Sequence, residues 1–235
     1  MRRFLALLLL ACVVVACSES KNFTVSGTVK GLKKGTLYLQ RIQDTALINL
    51  DSIVVDGDPE FEFSLNIEEP EVMYLHLDKV DGSGYDDRIL FFAEPGEMNI
   101  TTSLKNFEGF AAVIGAENQM RWTEFQKMNQ KFNDKNLDLI KGSYEAQISG
   151  VQEDILKYDD SLQRLLESKY RYTGQFASTH ASLEMAPFLM LSQIPDANVT
   201  FLDTIYNRFP KKIQRSKYGK QLEKLIEERK AEEQN

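Results

Sequence analysis

The sequence has 235 residues, of which 43% are hydrophobic and 27% are charged, and its formal net charge is −7 at pH 7. An acidic surface is repelled by phosphate backbones and by anionic bilayers, which argues against nucleic acid and acidic lipid headgroups as partners. A chain of this length can bury a core that folds without disulfides, and it contains only two cysteines.

Both cysteines lie in an N-terminal stretch that has the layout of an export signal. Arg2 and Arg3 precede the apolar run Phe4–Val15, and the chain turns polar at Ser18. An apolar run of about 12 residues is too short to cross a hydrocarbon core, which needs roughly 20. A short positive region, a short apolar region and a small residue before the break are typical of a cleaved signal peptide.

The stretch Val14-Val15-Ala16-Cys17 resembles the lipobox of bacterial lipoproteins. The resemblance implies cleavage between Ala16 and Cys17, with a lipid attached to Cys17. Leu9-Leu10-Ala11-Cys12 has a similar form, but cleavage there would shorten the apolar region to about seven residues, the lower limit for such signals. An ordinary cleaved signal with an incidental cysteine is the alternative.

Lipidation at Cys17 would place the protein in the cell envelope. We predict a signal peptide over 1–16 and a lipidated tether over 17–21, which would be the attachment to the membrane because several acyl chains hold firmly. Loss of Arg2 and Arg3 leaves 26 basic against 35 acidic residues, a net charge of −9. Ser18, where retained lipoproteins carry Asp, favours the outer membrane over the inner one.

From Asn22 to about Ala116 apolar and polar residues alternate with period two, as in Phe23–Val29 and Phe61–Leu65. Turn residues recur at short spacing, and Ile89–Phe92 is continuously apolar. This pattern predicts an antiparallel β-sandwich or open barrel over 22–116.

One turn signal in this region has a specific form. Asp56-Gly57 stands between the apolar stretch Ile53–Val55 and Phe61. Asp-Gly between two strands is a strong hairpin signal, so we predict a hairpin here.

From Glu117 the period changes to 3.6, which predicts a helical region over 117–235. The first helix carries an apolar stripe of Trp122, Phe125, Met128, Phe132 and Leu139. Aromatic residues at helical spacing favour a core over a ligand pocket.

A second stripe follows the dipeptide Gly142-Ser143. Its members step by four and three residues, and they are Tyr144, Ile148, Val151, Ile155, Tyr158, Leu162 and Leu165. With Ser143 as N-cap, the pattern predicts a long antiparallel helical hairpin that breaks at Gly142-Ser143. The seam does not by itself demand a coiled-coil dimer, because a partner helix of the same chain satisfies it equally well.

The C-terminal part predicts shorter helices. The stretch Pro195-Asp196-Ala197-Asn198 is predicted to open one helix, and Ser216 is a predicted N-cap of the last helix. The fold class is therefore α+β, with an N-terminal β-domain and a C-terminal helical segment.

The order of these parts resembles bacterial lipoproteins that carry the domain of unknown function 4369. Six stretches carry the resemblance: Phe23–Val29, Gly35–Leu39, Leu50–Ser52, Phe61–Phe63, Val113–Asn118 and Ser216–Lys220. The resemblance implies a helical segment after the β-domain and then, in the longer relatives, a thioredoxin-like domain of the thiol-disulfide oxidoreductase type.

The redox activity of those relatives does not carry over to this sequence. Dithiol exchange needs one thiolate to attack and a second thiol to resolve the mixed disulfide. The sequence contains no Cys-x-x-Cys, and its only cysteines are Cys12 and Cys17.

One loop has a composition that suits a metal or ligand. Asp81, Ser83, Asp86 and Asp87 offer oxygen atoms within seven residues, and His76 lies on the strand before them. Their spacing does not match an EF-hand, and Asp and Gly are ordinary turn residues, so a solvated loop is favoured. We expect His76 to form a surface pair on the sheet, with Tyr74 two residues away.

The remaining chemistry is sparse. His180 follows Ser178 and Thr179, but no Gly-x-Ser-x-Gly accompanies it, so a helix start capped by Ser or Thr is favoured over a catalytic triad. Two distant histidines do not indicate a zinc site. We predict no metal and no cofactor.

The sequence therefore predicts a non-catalytic, envelope-anchored binding or scaffold module with another envelope protein as its partner. Two alternatives stay open. One is an accessory protein that acts in trans with a thioredoxin-like redox protein. The other is an unrecognised small-ligand or glycan-binding protein.

Overall fold

The computed structural model describes residues 21–44, 46–79 and 87–233. Its eight strands are β1 Phe23–Lys30, β2 Lys34–Gln43, β3 Ala46–Asp56, β4 Glu60–Leu65, β5 Glu71–Lys79, β6 Asp87–Ala93, β7 Gly96–Ser103 and β8 Ala112–Ile114. They form two four-stranded sheets, ordered β4-β1-β7-β8 and β3-β2-β5-β6. The two sheets enclose one apolar core, so the predicted β-sandwich is confirmed.

The pairing is antiparallel except at one place. β1 and β7 run parallel, with Phe23 opposite Gly96 and Lys30 opposite Ser103. The period-two pattern fixes which face of a strand is buried, but it does not fix the direction of the neighbouring strand.

The hairpin predicted at Asp56-Gly57 is wrong. β3 pairs with β2, whereas β4 pairs with β1 in the other sheet, so this turn crosses between the sheets. The Gly57 N–H donates to the Lys33 carbonyl at 2.8 Å, which ties the crossing to the turn between β1 and β2. The turn residues mark a change of direction, and the partner of each strand is decided by long-range packing.

β5 and β6 are buried on both faces. Met73 and Phe91 point into the sandwich core. Val72 and Phe92, one residue along, belong to a second core formed with the helices. The continuously apolar Ile89–Phe92 thus has two covered faces, as is usual for such runs.

The helical region follows directly. Its helices are α1 Glu117–Ser149, α2 Gln152–Thr179, α3 Met185–Gln193, α4 Val199–Tyr206, α5 Lys211–Gln214 and α6 Lys217–Glu232. The predicted N-cap Ser216 is confirmed, since its side chain accepts the Gly219 N–H, and Asn198 caps α4 by accepting the Thr200 and Phe201 N–H groups. No helix in the described ranges combines the length and apolarity needed to span a bilayer.

α1 and α2 form the predicted antiparallel hairpin. Phe125 near the start of α1 contacts Phe176 near the end of α2, with ring centroids 5.5 Å apart. Farther along, Phe132 contacts Tyr172 at 5.8 Å. As the residue number rises along α1, the residue number of the contacting residue on α2 falls, as an antiparallel pair requires.

The position of the hairpin turn differs from the prediction. α1 continues through Gly142-Ser143 and ends at Gly150, whose φ of 70° lies in the left-handed region that glycine adopts without strain. Gly142 serves close packing instead, because a Cβ there would lie 2.3 Å from Cε1 of Tyr158. Ser143 is therefore buried inside α1 and is not an N-cap.

Candidate functional site

The predicted site residues fall partly outside the described ranges. Ala16, Cys17, Asp81, Ser83 and Asp86 lie there, so the signal, the lipidation site and most of the acidic loop are not described.

Asp87 and His76 are described, and they lie together. Asp87 begins β6 and forms an ion pair with Lys79. Nδ1 of His76 lies 3.3 Å from the Asp87 carbonyl oxygen. The His76 ring stacks on Tyr38 of β2, with centroids 5.9 Å apart, so its aromatic partner is the residue across the strand pair rather than Tyr74. No group of three or more metal-ligating side chains occurs among the described residues.

His180 ends a helix, which corrects the prediction that it starts one. Its N–H donates to the Phe176 carbonyl at 3.1 Å, and its ring lies 4.3 Å from the Phe176 ring. The apolar sequence after His180 suggested a new helix, but α3 begins only at Met185.

The first of two clasps joins the β-domain to the helices at Asn118. Its N–H donates to Oε1 of Glu94 at 2.8 Å, and its Nδ2 lies 3.3 Å from carboxylate oxygens of both Glu94 and Glu184. Its Oδ1 accepts the Met185 N–H at 2.9 Å. Asn118 is 1% exposed, so one buried amide holds the turn before β7 and the starts of α1 and α3.

The second clasp lies at the start of α6. The Lys217 N–H donates to Glu69 at 3.0 Å, and its ammonium group pairs with the buried carboxylate of Glu71. The Tyr218 hydroxyl accepts the Val72 N–H at 2.8 Å. Burial raises the pKa of Tyr218 well above its usual range, so the hydroxyl stays protonated.

These bonds satisfy backbone groups that the sheet leaves open. Val72 and Phe92 face each other across β5 and β6, and both N–H groups point away from that ladder. The Val72 N–H is met by Tyr218, and the Phe92 N–H is met by Oε1 of Gln119 at 2.8 Å. The helices therefore complete the hydrogen bonding of the sheet as well as covering it.

An aromatic cluster fills the space between the clasps. Phe92 packs against Trp122, Phe188 and Tyr218 at centroid distances of 6.5, 5.4 and 6.1 Å. Trp122 and Phe125 are buried in this core, as predicted for the first stripe, whereas Met128 and Phe132 are half-buried and Leu139 belongs to neither core cluster.

A cleft of about 900 Å³ opens beside the second clasp. Its charged lining consists of Arg41 and Lys217 around Glu71, together with Glu68, Glu69 and Asp44. A guanidinium nitrogen of Arg41 lies 3.5 Å from Oε1 of Glu71, so the buried carboxylate is paired with both Arg41 and Lys217. Burial raises the pKa of Tyr74 in the wall, partly offset by the nearby positive charge of Arg88. The described lining contains no histidine or cysteine, so it offers no pair of nucleophile and imidazole base.

The distal part of the helical hairpin leaves the core. We call residues 133–168 the arm. None of its residues belongs to either hydrophobic core cluster. The run from Asn133 to the turn at Gly150 is about 25 Å long at 1.5 Å per residue. The buried positions of α1 in the arm are Leu139, Gly142, Ser143 and Ala146.

The opposite side of α1 in the arm is apolar and exposed. Leu137, Ile140, Tyr144 and Ile148 are 64%, 48%, 64% and 70% exposed. Their spacing of three, four and four residues places them on one face of the helix, which we call the outer stripe. The sequence pattern placed Tyr144 and Ile148 on one seam of a single helix that continues to Leu165. That prediction is wrong, because the turn at Gly150 divides the predicted seam between two helices.

The arm is acidic. It contains eight carboxylates against four basic residues, so its net charge is −4. Among the described residues, the arm contains one ion pair, in which a guanidinium nitrogen of Arg164 lies 2.8 Å from a carboxylate oxygen of Asp160. The acidic groups flank an apolar stripe that nothing in the described chain covers.

The two sheets, with Glu94 and Asn118 of the first clasp, have a counterpart among known families. Residues 23–122 match the model of a domain of unknown function, DUF4369. The resemblance of the β-region to this domain is thereby confirmed. The DUF4369 domain covers both sheets and the first residues of α1, and it includes Asn118 and Trp122. No curated protein and no solved structure gives a significant match to the chain.

The DUF4369 match ends before the arm and before Lys217 and Tyr218, the helical half of the second clasp. Sequence reasoning singled out Asn118 by resemblance, and Ser216–Lys220 by resemblance and by the predicted cap at Ser216, and the structure gives both stretches a role in joining the β-domain to the helices. It missed Glu94 and Glu184, the buried partners of Asn118. Glu94 belongs to the turn sequence Glu94-Pro95-Gly96-Glu97, which does not mark it as a buried partner, and nothing local in the sequence marks Glu184.

Proposed function

We propose that the protein is a lipid-anchored, non-catalytic scaffold of the cell envelope that holds a docking arm for another envelope protein. The observation that supports this proposal best is the outer stripe. A contiguous apolar surface of this kind on a solvent-exposed helix face is typical of a protein interaction site.

The rigid connection between the β-domain and the arm supports a scaffold. The arm continues directly from helices that are fixed by Asn118, by Lys217 and by the aromatic cluster around Phe92. A partner bound to the arm would therefore be held at a fixed position relative to the β-domain.

The start of the β-domain is equally well fixed, which suits a tether that ends there. Asn22 follows the predicted tether directly. Its side chain donates to the Ile67 carbonyl at 2.8 Å and accepts the Ile67 N–H at 2.9 Å. A lipid on Cys17 would thus hold the folded part close to the bilayer surface.

Lipidation is tested by metabolic labelling with an alkynyl fatty acid. Wild type and Cys12→Ala should carry the label, and Cys17→Ala should not. Equal labelling of wild type and Cys17→Ala would contradict the anchor.

The scaffold is tested by crosslinking intact cells and capturing the lipidated protein through a C-terminal tag, followed by mass spectrometry. We expect one stoichiometric envelope protein. A thioredoxin-like partner would favour the redox-accessory alternative, and the absence of any partner would remove the support for a scaffold.

A further inference from the structure

We infer that the outer stripe binds an amphipathic helix with basic flanks, supplied by the partner protein. This inference rests on the proposed scaffold function and adds the chemistry of its partner.

The shape of the surface selects a helix. Leu137, Ile140, Tyr144 and Ile148 follow the three-and-four spacing that packs knobs into the holes of a facing helix. The buried face of α1 already packs on α2, with the Tyr158 ring against Gly142. A helix laid on the outer stripe would make α1 the middle helix of three, which matches the helix-in-groove mode of recognition.

The charges around the stripe select a basic helix. At 3.6 residues per turn, Asp134, Asp138 and Glu145 follow one side of the stripe, with Lys141 as the only base among them. The other side carries uncharged residues, including Asn136 and Gln147. A partner with lysine or arginine along its flanks would meet the acidic side, and opposite charges at such flanking positions set the choice of partner.

The same charges disfavour the other occupants. A second copy of the chain would bring a net charge of −4 against −4, and an anionic bilayer would be repelled likewise. Attraction to a basic helix should weaken with salt, because exposed charges are screened over about 10 Å at 0.1 M ionic strength.

The test uses the lipidated full-length protein in phosphatidylcholine nanodiscs, with empty nanodiscs as the blank. The probes are two synthetic peptides of four heptads with leucine at a and d, one with lysine and one with glutamate at e and g. Binding is measured by fluorescence anisotropy at low and high salt. We expect the lysine peptide to bind at least about tenfold more tightly than the glutamate peptide, with a difference that shrinks in salt.

A pair of variants locates the site. Ile148→Glu changes the outer stripe, and Leu156→Glu adds the same charge at a residue that is 60% exposed on α2, away from the stripe. Ile148→Glu should weaken binding of the lysine peptide at least about tenfold, and Leu156→Glu should leave it within about twofold. Circular dichroism should show both variants folded, since both positions are exposed.

Three results would overturn the inference. They are equal binding of the two peptides, equal binding by Ile148→Glu and wild type, and self-association of wild type that Ile148→Glu abolishes. In the last case the occupant is a second copy. If the peptide results fail while a partner is still captured from cells, the scaffold stands without this site.

Discussion

Replacing Tyr218 with phenylalanine removes a single oxygen from the second clasp. The hydroxyl accepts the Val72 N–H at 2.8 Å and is buried, and the pairing of β2 with β5 ends one residue away, at Arg41 and Met73. The ring itself would stay, packed against Phe188 at 5.1 Å and Phe92 at 6.1 Å. The substitution therefore isolates the hydrogen bond from the packing.

The expected loss of stability follows from the group left behind. A buried donor without a partner costs about 1–3 kcal/mol, whereas a hydroxyl lost from the surface costs within about 0.5 kcal/mol. Tyr218→Phe should therefore lower the free energy of unfolding by about 1–3 kcal/mol. Tyr144→Phe, which removes the same atom from a side chain 64% exposed on the arm, is the matched control.

Urea unfolding followed by tryptophan fluorescence measures this directly. Trp122 is the single tryptophan of the chain and packs against Phe92 and Phe188, so its emission reports on the contact between sheet and helices. If Tyr218→Phe unfolds at the same urea concentration as Tyr144→Phe, the Tyr218 hydroxyl does not stabilise the fold by accepting the Val72 N–H, and the reasoning above is refuted.

Three further predictions address other contacts. Asn118→Ala should lower the free energy of unfolding by about 1–3 kcal/mol in urea titrations, because Glu184 and the Met185 N–H lose a buried partner. Gly142→Ala should destabilise despite the helix propensity of alanine, but in a Tyr158→Ala background it should stabilise by about 1 kcal/mol, since the clashing ring is gone. Burial, with a hydrogen bond to Asp196, raises the pKa of Tyr170 to about 12. The unfolded chain therefore ionises first, and thermal melts should show stability falling as pH rises from about 10 to 12, less steeply in Tyr170→Phe.

The sandwich and the helical hairpin could be predicted because each depends on a local pattern. Period two in Phe61–Leu65 and period 3.6 around Phe125 reflect which face is buried, and that information lies within a few residues. The continuously apolar run Ile89–Phe92 likewise belongs to a strand, and its apolarity fits the burial of both faces.

The positions of turns and partners could not be predicted in the same way. Gly142-Ser143 has the composition of a helix break, yet Gly142 admits the Tyr158 ring and Gly150 ends the helix. The choice between two glycines depends on packing across the hairpin. The direction of β7 beside β1 likewise depends on contacts far apart in sequence.

The site was predicted least completely for the same reason. No local pattern predicts the hydrogen bonds of Asn118 and Tyr218, since their partners Glu184 and Val72 are distant in sequence. Of the outer stripe, the predicted apolar patterns included only Tyr144 and Ile148, and such a pattern does not show whether a face is covered by the same chain or left open.

The central claim is that a lipid-anchored scaffold presents its arm to an envelope partner. The most direct measurement places a photo-crosslinking amino acid at position 148 or 156 of the full chain in intact cells and identifies the products by mass spectrometry. We expect one envelope protein, joined through a basic helical segment, to be crosslinked from position 148 and not from position 156. Crosslinks of equal yield from both positions, or none from position 148, would contradict it.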